Sequence, residues 1–401
     1  MYLKNKKILI GMTGSIAAYK IADLVRRLIE QQAQVRVVMS HAATQFITPM
    51  TMQAVSGHKV YTDLLDAEAE AAMGHIELAR WADIVLIAPA SADFLAKLTH
   101  GMADDLLSTL CLATTAPIAV APAMNQQMWK AAATQANCQT LQQRHIKFFG
   151  PANGLQACGE DGFGRMLEPF HIIDYLHKQF TPQLLTGTHI VMTAGPTRED
   201  IDPVRFISNR SSGKMGYAIA KAAQLMGAKV TLISGQTCLA KPLQVNTVDV
   251  YNAQDMYDAV MQYIEHADIF IATAAVADYR PQQQAEQKIK KTKDVMSIEL
   301  SKTTDILASV GHLQNKPFTV GFAAETHDVE TYAKDKMARK NLDMIAANLV
   351  GVENAGFESD NNALTVYWDK GQQDLPHGAK TKLAYHLVEL IAQCYQQATL
   401  A

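Results

Sequence analysis

The 401-residue sequence predicts an α/β protein built as two doubly wound parallel-sheet domains. Three observations lead there. Short, uninterrupted apolar runs alternate with longer stretches whose apolar residues recur at helical spacing, as expected of strands buried on both faces between helices. The alternation halts in a Pro- and Gly-bearing stretch at residues 180–187 and starts again at His189. The length also suits two or three domains better than one.

Taken in order, residues 7–11 (Lys-Ile-Leu-Ile-Gly) form the first strand, and Gly14-Ser15 the turn after it. Residues 16–31 carry Ile21, Leu24, Val25 and Leu28 on one helical face. Residues 35–39 form the next strand, and residues 84–89 and 118–122 are further buried strands, each ending at a proline. The stretch 180–187 reads as a linker. Beyond it come a strand at 189–195, a helix from about Ser212 to Met226, and strands at 229–234, 269–273, 318–322 and 344–348. The expected division is residues 1–180, a linker at 181–188, and residues 189–401. Open α/β sheets place ligands beyond the carboxyl ends of their strands, so the informative residues are sought there.

Composition narrows the partners. A hydrophobic content of 48% is ordinary for a globular chain, and a net charge of −3 gives no reason to expect nucleic acid or an anionic membrane. The basic run Lys288, Lys290, Lys291 and Lys293 is local, suited to one polyphosphate or to a solvated face. Lys4, Lys6 and Lys7 precede only a three-residue apolar run ending at Gly11, which is no signal peptide, and no apolar stretch approaches a membrane span. Five cysteines (111, 138, 158, 238 and 394) lie scattered without Cys-x-x-Cys spacing, which argues against a disulfide framework or zinc site and for a reducing cytoplasm.

One cysteine stands apart. Cys158 lies in a run containing Gly154, Gly159, Gly162 and Gly164, with Gly150 just before it. So many glycines are expected to form neither helix nor strand but a connector or a mobile flap. A thiol on a flap suits acid–base or redox chemistry with closure over substrate; the plainer reading is an idle cysteine on a surface loop. In the first half, the turn Gly11-Met-Thr-Gly14-Ser15 offers backbone N–H groups and a hydroxyl to a phosphate. The second strand ends at Met39-Ser40 without the acid a dinucleotide ribose wants, so a mononucleotide phosphate or ribityl chain fits better than NAD. Ser91 and Asp93 follow another strand, and Asn125 follows the next, either as a helix cap or as an amide for a substrate carboxylate. His75 lies in a polar stretch, where a lone histidine is more often a surface residue than a catalyst.

Together, Gly14-Ser15-Ile-Ala17, Gly74-His75-Ile, Pro89-Ala-Ser-Ala-Asp93, Pro122-Ala-Met-Asn-Gln-Gln-Met-Trp129 and Ala157-Cys158-Gly resemble the flavin-dependent cysteine decarboxylases, over roughly residues 5–180. Asp93 departs from the asparagine common in that family. The resemblance implies a flavoprotein-like fold and bound FMN, held by Gly14, Ser15, Ser40, Ser91 and Met124. It also implies oxidation of a substrate cysteinyl thiol to a thioaldehyde, loss of CO₂, and protonation and reduction of the resulting enethiol. In that scheme His75 is the base near the thiol, Asn125 binds the carboxylate and Cys158 donates the proton.

In the second half, the turn Thr193-Ala-Gly-Pro-Thr-Arg198-Glu-Asp200 is followed by Arg205, Asn209 and Ser211-Ser-Gly-Lys-Met-Gly216, a helix start able to cradle a phosphate but without Walker A spacing. The next strand ends Ser234-Gly235, again lacking a ribose acid. Asp278 follows a buried strand, where a ribose, base or metal can be met. Lys336 and Lys340 lie four apart on one helix face.

These residues, with Ala274-Ala-Val-Ala-Asp278-Tyr279 and Val320-Gly-Phe-Ala-Ala-Glu-Thr326, resemble the phosphopantothenate–cysteine ligases over roughly residues 188–395, with a Rossmann-like fold. The order of the two halves is that of the bacterial bifunctional coenzyme A biosynthesis family. The resemblance implies attack of the 4'-phosphopantothenate carboxylate on the α-phosphate of CTP, then attack of the cysteine amine on the acyl-cytidylate. Lys288 and Mg²⁺ are implied at the phosphates. Asn209 would hold the acyl intermediate, with Arg205 supporting its conversion, and the nucleotide contacts implied are Asp278, Lys288, Thr304, Asp305, Ile306, Leu307, Phe322, Lys336 and Lys340. Thr303-Thr304-Asp305 departs from the family's Asn-Pro-Asp. The choice of CTP over ATP rests on the resemblance alone, and no metal ligand is legible. The resemblance further implies a homo-oligomer: trimeric packing of the first domains and dimeric packing of the second, combined into a dodecamer. A peptide cysteine decarboxylase, a flavin prenyltransferase and a regulatory flavin-binding protein are the alternatives. The ligase-like half argues against the first two, and the presence of His75, Asn125 and Cys158 together argues against the third.

Overall fold

The apolar runs at residues 8–10, 84–90 and 269–272 lie in parallel strands. In the computed structural model, which describes residues 2–64, 74–290, 295–325, 328–349 and 359–400, the chain divides into two units, Met1–Thr181 and Pro182–Ala401.

The first unit holds strands β1 (Lys7–Met12), β2 (Gln34–Met39), β3 (Val60–Tyr61), β4 (Ile84–Ala90), β5 (Ile118–Pro122) and β6 (Lys147–Phe148), in the spatial order β3-β2-β1-β4-β5-β6, all parallel. Its helices are α1 (Tyr19–Glu30), α2 (Pro49–Ser56), α3 (Gly74–Trp81), α4 (Ala92–His100), α5 (Leu106–Ala113), α6 (Gln126–Lys130), α7 (Ala132–Gln143) and α8 (Pro169–Phe180). Successive side chains of β1 feed opposite faces, with Ile8, Ile10 and Met12 in one core cluster and Leu9 in the other. Strand β4 is buried at every position. Each large aliphatic side chain so buried is worth about 1.5–3 kcal/mol, so the sheet centre is the best-anchored part of the unit. Gly11 permits α5 to close on the sheet, because a Cβ there would stand 2.4 Å from Leu107 Cδ1.

The glycine-rich stretch differs from expectation. It is a two-stranded antiparallel hairpin, β7 (Ala152–Leu155) and β8 (Asp161–Arg165), with Cys158 in the connecting turn. Gly154, Gly162 and Gly164 lie within the strands at φ of 150°, 156° and 130°, a region that L side chains rarely adopt. The glycines therefore permit this strand path instead of preventing it.

The second unit continues with β9 (His189–Ala194), β10 (Arg198–Asp202), β11 (Arg205–Ser208), β12 (Lys229–Ser234), β13 (Asn246–Asp249), β14 (Ile269–Ala272), β15 (Tyr279–Pro281), β16 (Leu300–Lys302), β17 (Phe318–Glu325), β18 (Met344–Leu349), β19 (Asn361–Trp368) and β20 (Gly371–Ala379). Its main sheet runs β13-β12-β9-β14-β17-β18-β19-β20. It is parallel through β18, and β19 and β20 then close its edge as an antiparallel hairpin, a departure from a purely parallel sheet. The two-residue connection between Trp368 and Gly371 is long enough only for antiparallel neighbours. Helices α9 (Lys214–Leu225), α10 (Ala253–Ile264), α11 (Ile306–Gly311), α12 (Val329–Arg339) and α13 (Lys380–Leu400) cover the faces. Part of the expected linker is core of this unit: Leu185 is 1% exposed, and its N–H donates to the Met226 carbonyl at 3.0 Å. In both units the central strand has neighbours that leave in opposite directions, β1 between β2 and β4 and β9 between β12 and β14, which opens a crevice at its carboxyl end.

Candidate active sites

In the first unit, the rim of the sheet carries Gly14, Ser15, Ser40, Ser91 and Met124, each just beyond a strand end. The three serine oxygens accept backbone N–H groups: Ser15 from Ala17 at 3.3 Å, Ser40 from Ala43 at 3.3 Å and Ser91 from Phe94 at 3.2 Å. A hydroxyl that accepts still has its own proton to give, so the rim presents donors suited to a phosphate or a polyol. Thr13 ties two of these loops together, donating to the Pro89 carbonyl at 2.7 Å and accepting from the Ser91 N–H at 2.9 Å. The Gly14 loop passes so close to the Ser40 loop that a Cβ would meet Ala42 Cβ at 2.7 Å. Asp93 lies exposed in the first turn of α4.

Asn125 is both cap and contact. Its Oδ1 accepts the Gln127 N–H at 2.8 Å, capping α6, while its Nδ2 faces Cys158 Sγ at 3.5 Å and donates to Glu160 Oε2 at 2.7 Å. The two readings of Asn125 are thus compatible, because they use different atoms of one amide. The hairpin is pressed onto the start of α6. Gln156 Oε1 accepts the Gln126 N–H at 3.0 Å, and Gly164 passes so near the Met124 carbonyl that a Cβ would stand 2.4 Å from it. Glu160 was not singled out from the sequence. Its place two residues after Cys158 on a hairpin tip is the only signal, and the tip is visible only once the strands pair. His75 lies half-buried in the first turn of α3, with no hydrogen bond to Asn125 or Cys158 among the described residues.

In the second unit, a cavity of about 910 Å³ opens beyond the carboxyl ends of β9, β14 and β17. Asn209, Asp278, Phe322, Lys336 and Lys340 line it, as do Thr304, Asp305, Ile306 and Leu307. Asn209 Nδ2 donates to the carbonyls of Ala275 and Val276 at 3.1 and 3.2 Å. Asp305 caps α11 through the Ala308 N–H at 3.0 Å and pairs with Lys340 at 2.7 Å. Burial pushes the Asp305 carboxyl up, but the Lys340 ammonium and the helix N–H hold it below its ordinary range. Lys336 Nζ donates to the Phe322 carbonyl at 2.7 Å. Gly213, in the left-handed region at φ 76°, turns the chain into α9, and Gly216 packs where a Cβ would meet Ala194 Cβ at 2.5 Å.

Arg205 and Lys288 do not line this cavity. Lys288 is exposed. Arg205 pairs with the buried carboxylate of Asp202, its Nε donating at 3.0 Å, and its Nη2 donates to the Ile289 carbonyl at 2.9 Å. Asp202 also accepts the Ile289 N–H at 3.2 Å. The pair thereby clamps the backbone next to Lys288. Burial raises the Asp202 carboxyl, but Arg205 and the N–H groups of Val204, Ile289 and Arg205 outweigh it and hold it at about 2. Lys291, Lys293 and Thr326 lie outside the described residues. The sequence reading missed Lys302, Asn348, Asn362 and Lys380, which also line the cavity. The last two arrive through the β19–β20 hairpin, and no local pattern marks them. Among the described residues no three His, Cys, Asp or Glu side chains converge to hold a metal, and no helix is long and apolar enough to cross a membrane.

Comparison with known proteins matches residues 2–181 to the family described as Flavoprotein and residues 185–395 to the DNA/pantothenate metabolism flavoprotein C-terminal domain. The coenzyme A biosynthesis bifunctional protein CoaBC of Vibrio cholerae is 58% identical over 392 residues, 97% of this chain and 98% of that one. The protein of the same name from Escherichia coli is 52% identical over 402 residues, 99% of each. Among solved structures, the C-terminal domain of a CoaBC is 44% identical and covers 54% of this chain and 99% of its own, with a TM-score of 0.47.

Proposed function

The chain belongs to the family of bifunctional coenzyme A biosynthesis proteins, enzymes with a phosphopantothenoylcysteine decarboxylase half and a phosphopantothenate–cysteine ligase half, and from that premise we propose a reaction order and a role for each site. Residues 189–401 ligate cysteine to 4'-phosphopantothenate with CTP, and residues 1–180 decarboxylate the product to 4'-phosphopantetheine with FMN.

At the ligase site, a carboxylate oxygen of 4'-phosphopantothenate attacks the α-phosphorus of CTP and the bond to pyrophosphate breaks. The cysteine amine then attacks the acyl carbon, CMP leaves with the electrons of the acyl–oxygen bond, and the amine sheds a proton. The observation that carries this reading is the convergence of nine expected residues, from Asn209 to Lys340, on one cavity large enough for a nucleotide. Asp278, Phe322, Lys336, Lys340 and residues 304–307 take the nucleotide, and Asn209 takes the acyl group. Lys288 reaches the phosphates from the segment that Asp202 and Arg205 clamp, stabilising charge that grows in the transition state. Mg²⁺ would come with the nucleotide and supply positive charge at its phosphates.

At the decarboxylase site, the hydroxyl and N–H donors at Ser15, Ser40, Ser91 and Gly14 fit an FMN phosphate and ribityl chain, with Met124 beside them. Bound FMN supplies two-electron redox chemistry at the substrate's cysteinyl group. Asn125 Nδ2 binds the substrate carboxylate, and Glu160 supports this by offering a carboxylate to the same nitrogen at 2.7 Å. Cys158, on the hairpin tip beside that amide, gives the proton to the carbon that has lost CO₂, and His75 serves as base near the thiol. The exposed apolar side chains Ile16, Tyr19, Phe46 and Met50 flank the same rim and suit packing of a neighbouring copy there. Trimeric first halves and dimeric second halves would combine into a dodecamer.

Mass spectrometry of products from 4'-phosphopantothenate, cysteine and Mg²⁺, with CTP or ATP in parallel, tests both halves. 4'-Phosphopantetheine with CMP and pyrophosphate in the CTP tube alone is the expected result. With the Cys158→Ser protein, phosphopantothenoylcysteine should accumulate while FMN stays bound. Full decarboxylation by that variant sinks the role given to Cys158.

A further inference from the structure

The amide assigned above to the substrate carboxylate already holds a carboxylate of this chain. A side-chain amide has two protons to donate. Both are committed in the structure: Asn125 Nδ2 donates to Glu160 Oε2 at 2.7 Å and to Cys158 Sγ at 3.5 Å. The amide is held in that orientation, because its Oδ1 accepts the Gln127 N–H at 2.8 Å and caps α6. A second amide meets the same acid, Gln126 Nε2 donating to Glu160 Oε2 at 3.3 Å, while Lys130 Nζ donates to Gln126 Oε1 at 3.1 Å. Glu160 is exposed, so its charge needs neither amide for solvation. Its backbone is fixed independently of Asn125. The Glu160 carbonyl accepts the Gln156 N–H at 2.8 Å, and Gln156 Oε1 accepts the Gln126 N–H at 3.0 Å. The Glu160 side chain can therefore leave Asn125 while the hairpin stays on α6.

A substrate carboxylate that takes Asn125 Nδ2 must replace one of these two acceptors. An anion arriving there is repelled by the Glu160 carboxylate, whereas the Cys158 thiol has to stay close to give its proton. The carboxylate is the group that gives way. We propose that Glu160 is a positioning residue that stands in for the substrate carboxylate: it holds Asn125 until 4'-phosphopantothenoylcysteine displaces it, keeps Gln126 Nε2 as its partner meanwhile, and retakes Asn125 once CO₂ has left. This deepens the decarboxylase reading and rests on it. The exchange also sorts substrate from product. The substrate competes with Glu160 for Nδ2, and 4'-phosphopantetheine, which has no carboxylate, does not.

Initial rates of the full-length, FMN-bound enzyme with 4'-phosphopantothenoylcysteine supplied directly separate this proposal from the reading beneath it. Asn125→Asp keeps a side chain able to cap α6 but loses both Nδ2 protons. It should raise KM for this substrate or abolish turnover. Unchanged kinetics in that variant remove Asn125 as the carboxylate contact, and the proposal falls with it. Given that loss, Glu160→Gln and Glu160→Ala should each lower KM for the substrate, by about threefold to tenfold in the alanine variant, because a larger fraction of sites is open to it. The inhibition constant of added 4'-phosphopantetheine should stay unchanged, since that molecule makes no claim on Nδ2. A hairpin merely loosened by the substitutions would instead weaken substrate and product alike and lower kcat through Cys158. With Asn125→Asp impaired, an unchanged or raised KM in both Glu160 variants overturns the proposal and leaves the role of Asn125 standing. An equal shift in the product's inhibition constant overturns it as well. Glu160→Gln preserves the size of the side chain, and retained flavin absorbance shows that each variant is folded.

Discussion

Single side chains here work through what surrounds them. Cys111 and Cys138 are buried, and burial pushes their thiols up to about 12 and about 11, whereas Cys158 and Cys238 are exposed. The thiolate is the reactive form. Iodoacetamide at pH 8 should therefore label Cys158 and Cys238 in the native protein and reach Cys111 and Cys138 only after denaturation, which peptide mass mapping resolves. Asp202 gives a pH-dependent counterpart. Its carboxyl is held at about 2, below an ordinary value of 3.8. A depressed acid contributes stability that is complete above its unfolded value and is lost as pH falls through its folded one. Asp202→Asn should thus melt at lower temperature than the parent at pH 7, and the gap should shrink between about pH 4 and about pH 2. Calorimetry showing a constant gap across that window would remove the Arg205–Ile289 clamp as the cause.

Among the elements, the Cys158 hairpin depends on glycine at specific places. Gly164 sits at φ 130° with a would-be Cβ 2.4 Å from the Met124 carbonyl, whereas the would-be Cβ of Gly162 meets the Gln126 side chain, 2.5 Å from its Oε1. An alanine at 164 meets both backbone strain and a clash with backbone. The expected cost of Gly164→Ala is about 1–3 kcal/mol locally. Its signature should be lost decarboxylation with ligation intact, followed in the same product assay. Retained decarboxylation would mean that the hairpin need not lie against α6. The α11 start shows a different economy. Asp305 both caps six residues of helix and holds Lys340, so the departure of Thr303-Thr304 from the related Asn-Pro pattern leaves the cap itself in place.

At the scale of the whole molecule, among the described residues each unit draws its core clusters from its own residues, two within 1–181 and two within 182–401. A stretch that owns its core can fold alone. Chains 1–181 and 182–401 expressed separately should each give cooperative unfolding by circular dichroism. The first should be yellow with flavin, and the second should release pyrophosphate from CTP and 4'-phosphopantothenate. An unfolded 182–401 would show that its core needs the first half.

The sequence by itself determined the parallel part of both sheets, since a strand buried on both faces reads as a continuous apolar run and a helix as apolar residues at 3.6-residue spacing. Asn125 and Asp278 were marked by following apolar strand runs within one chain segment, whereas Asn209 and residues 304–307 came from the family resemblance; the cavity gathers Asn209, Asp278 and residues 304–307. What tertiary structure alone decided are the relations between segments far apart. Glu160 meets Asn125 only because antiparallel pairing lifts the Cys158 turn back over α6. Asn362 and Lys380 reach the ligase cavity only because β19 and β20 reverse the chain at the sheet edge. Periodicity records which face of an element is buried, and it carries no information on which distant element will cover that face.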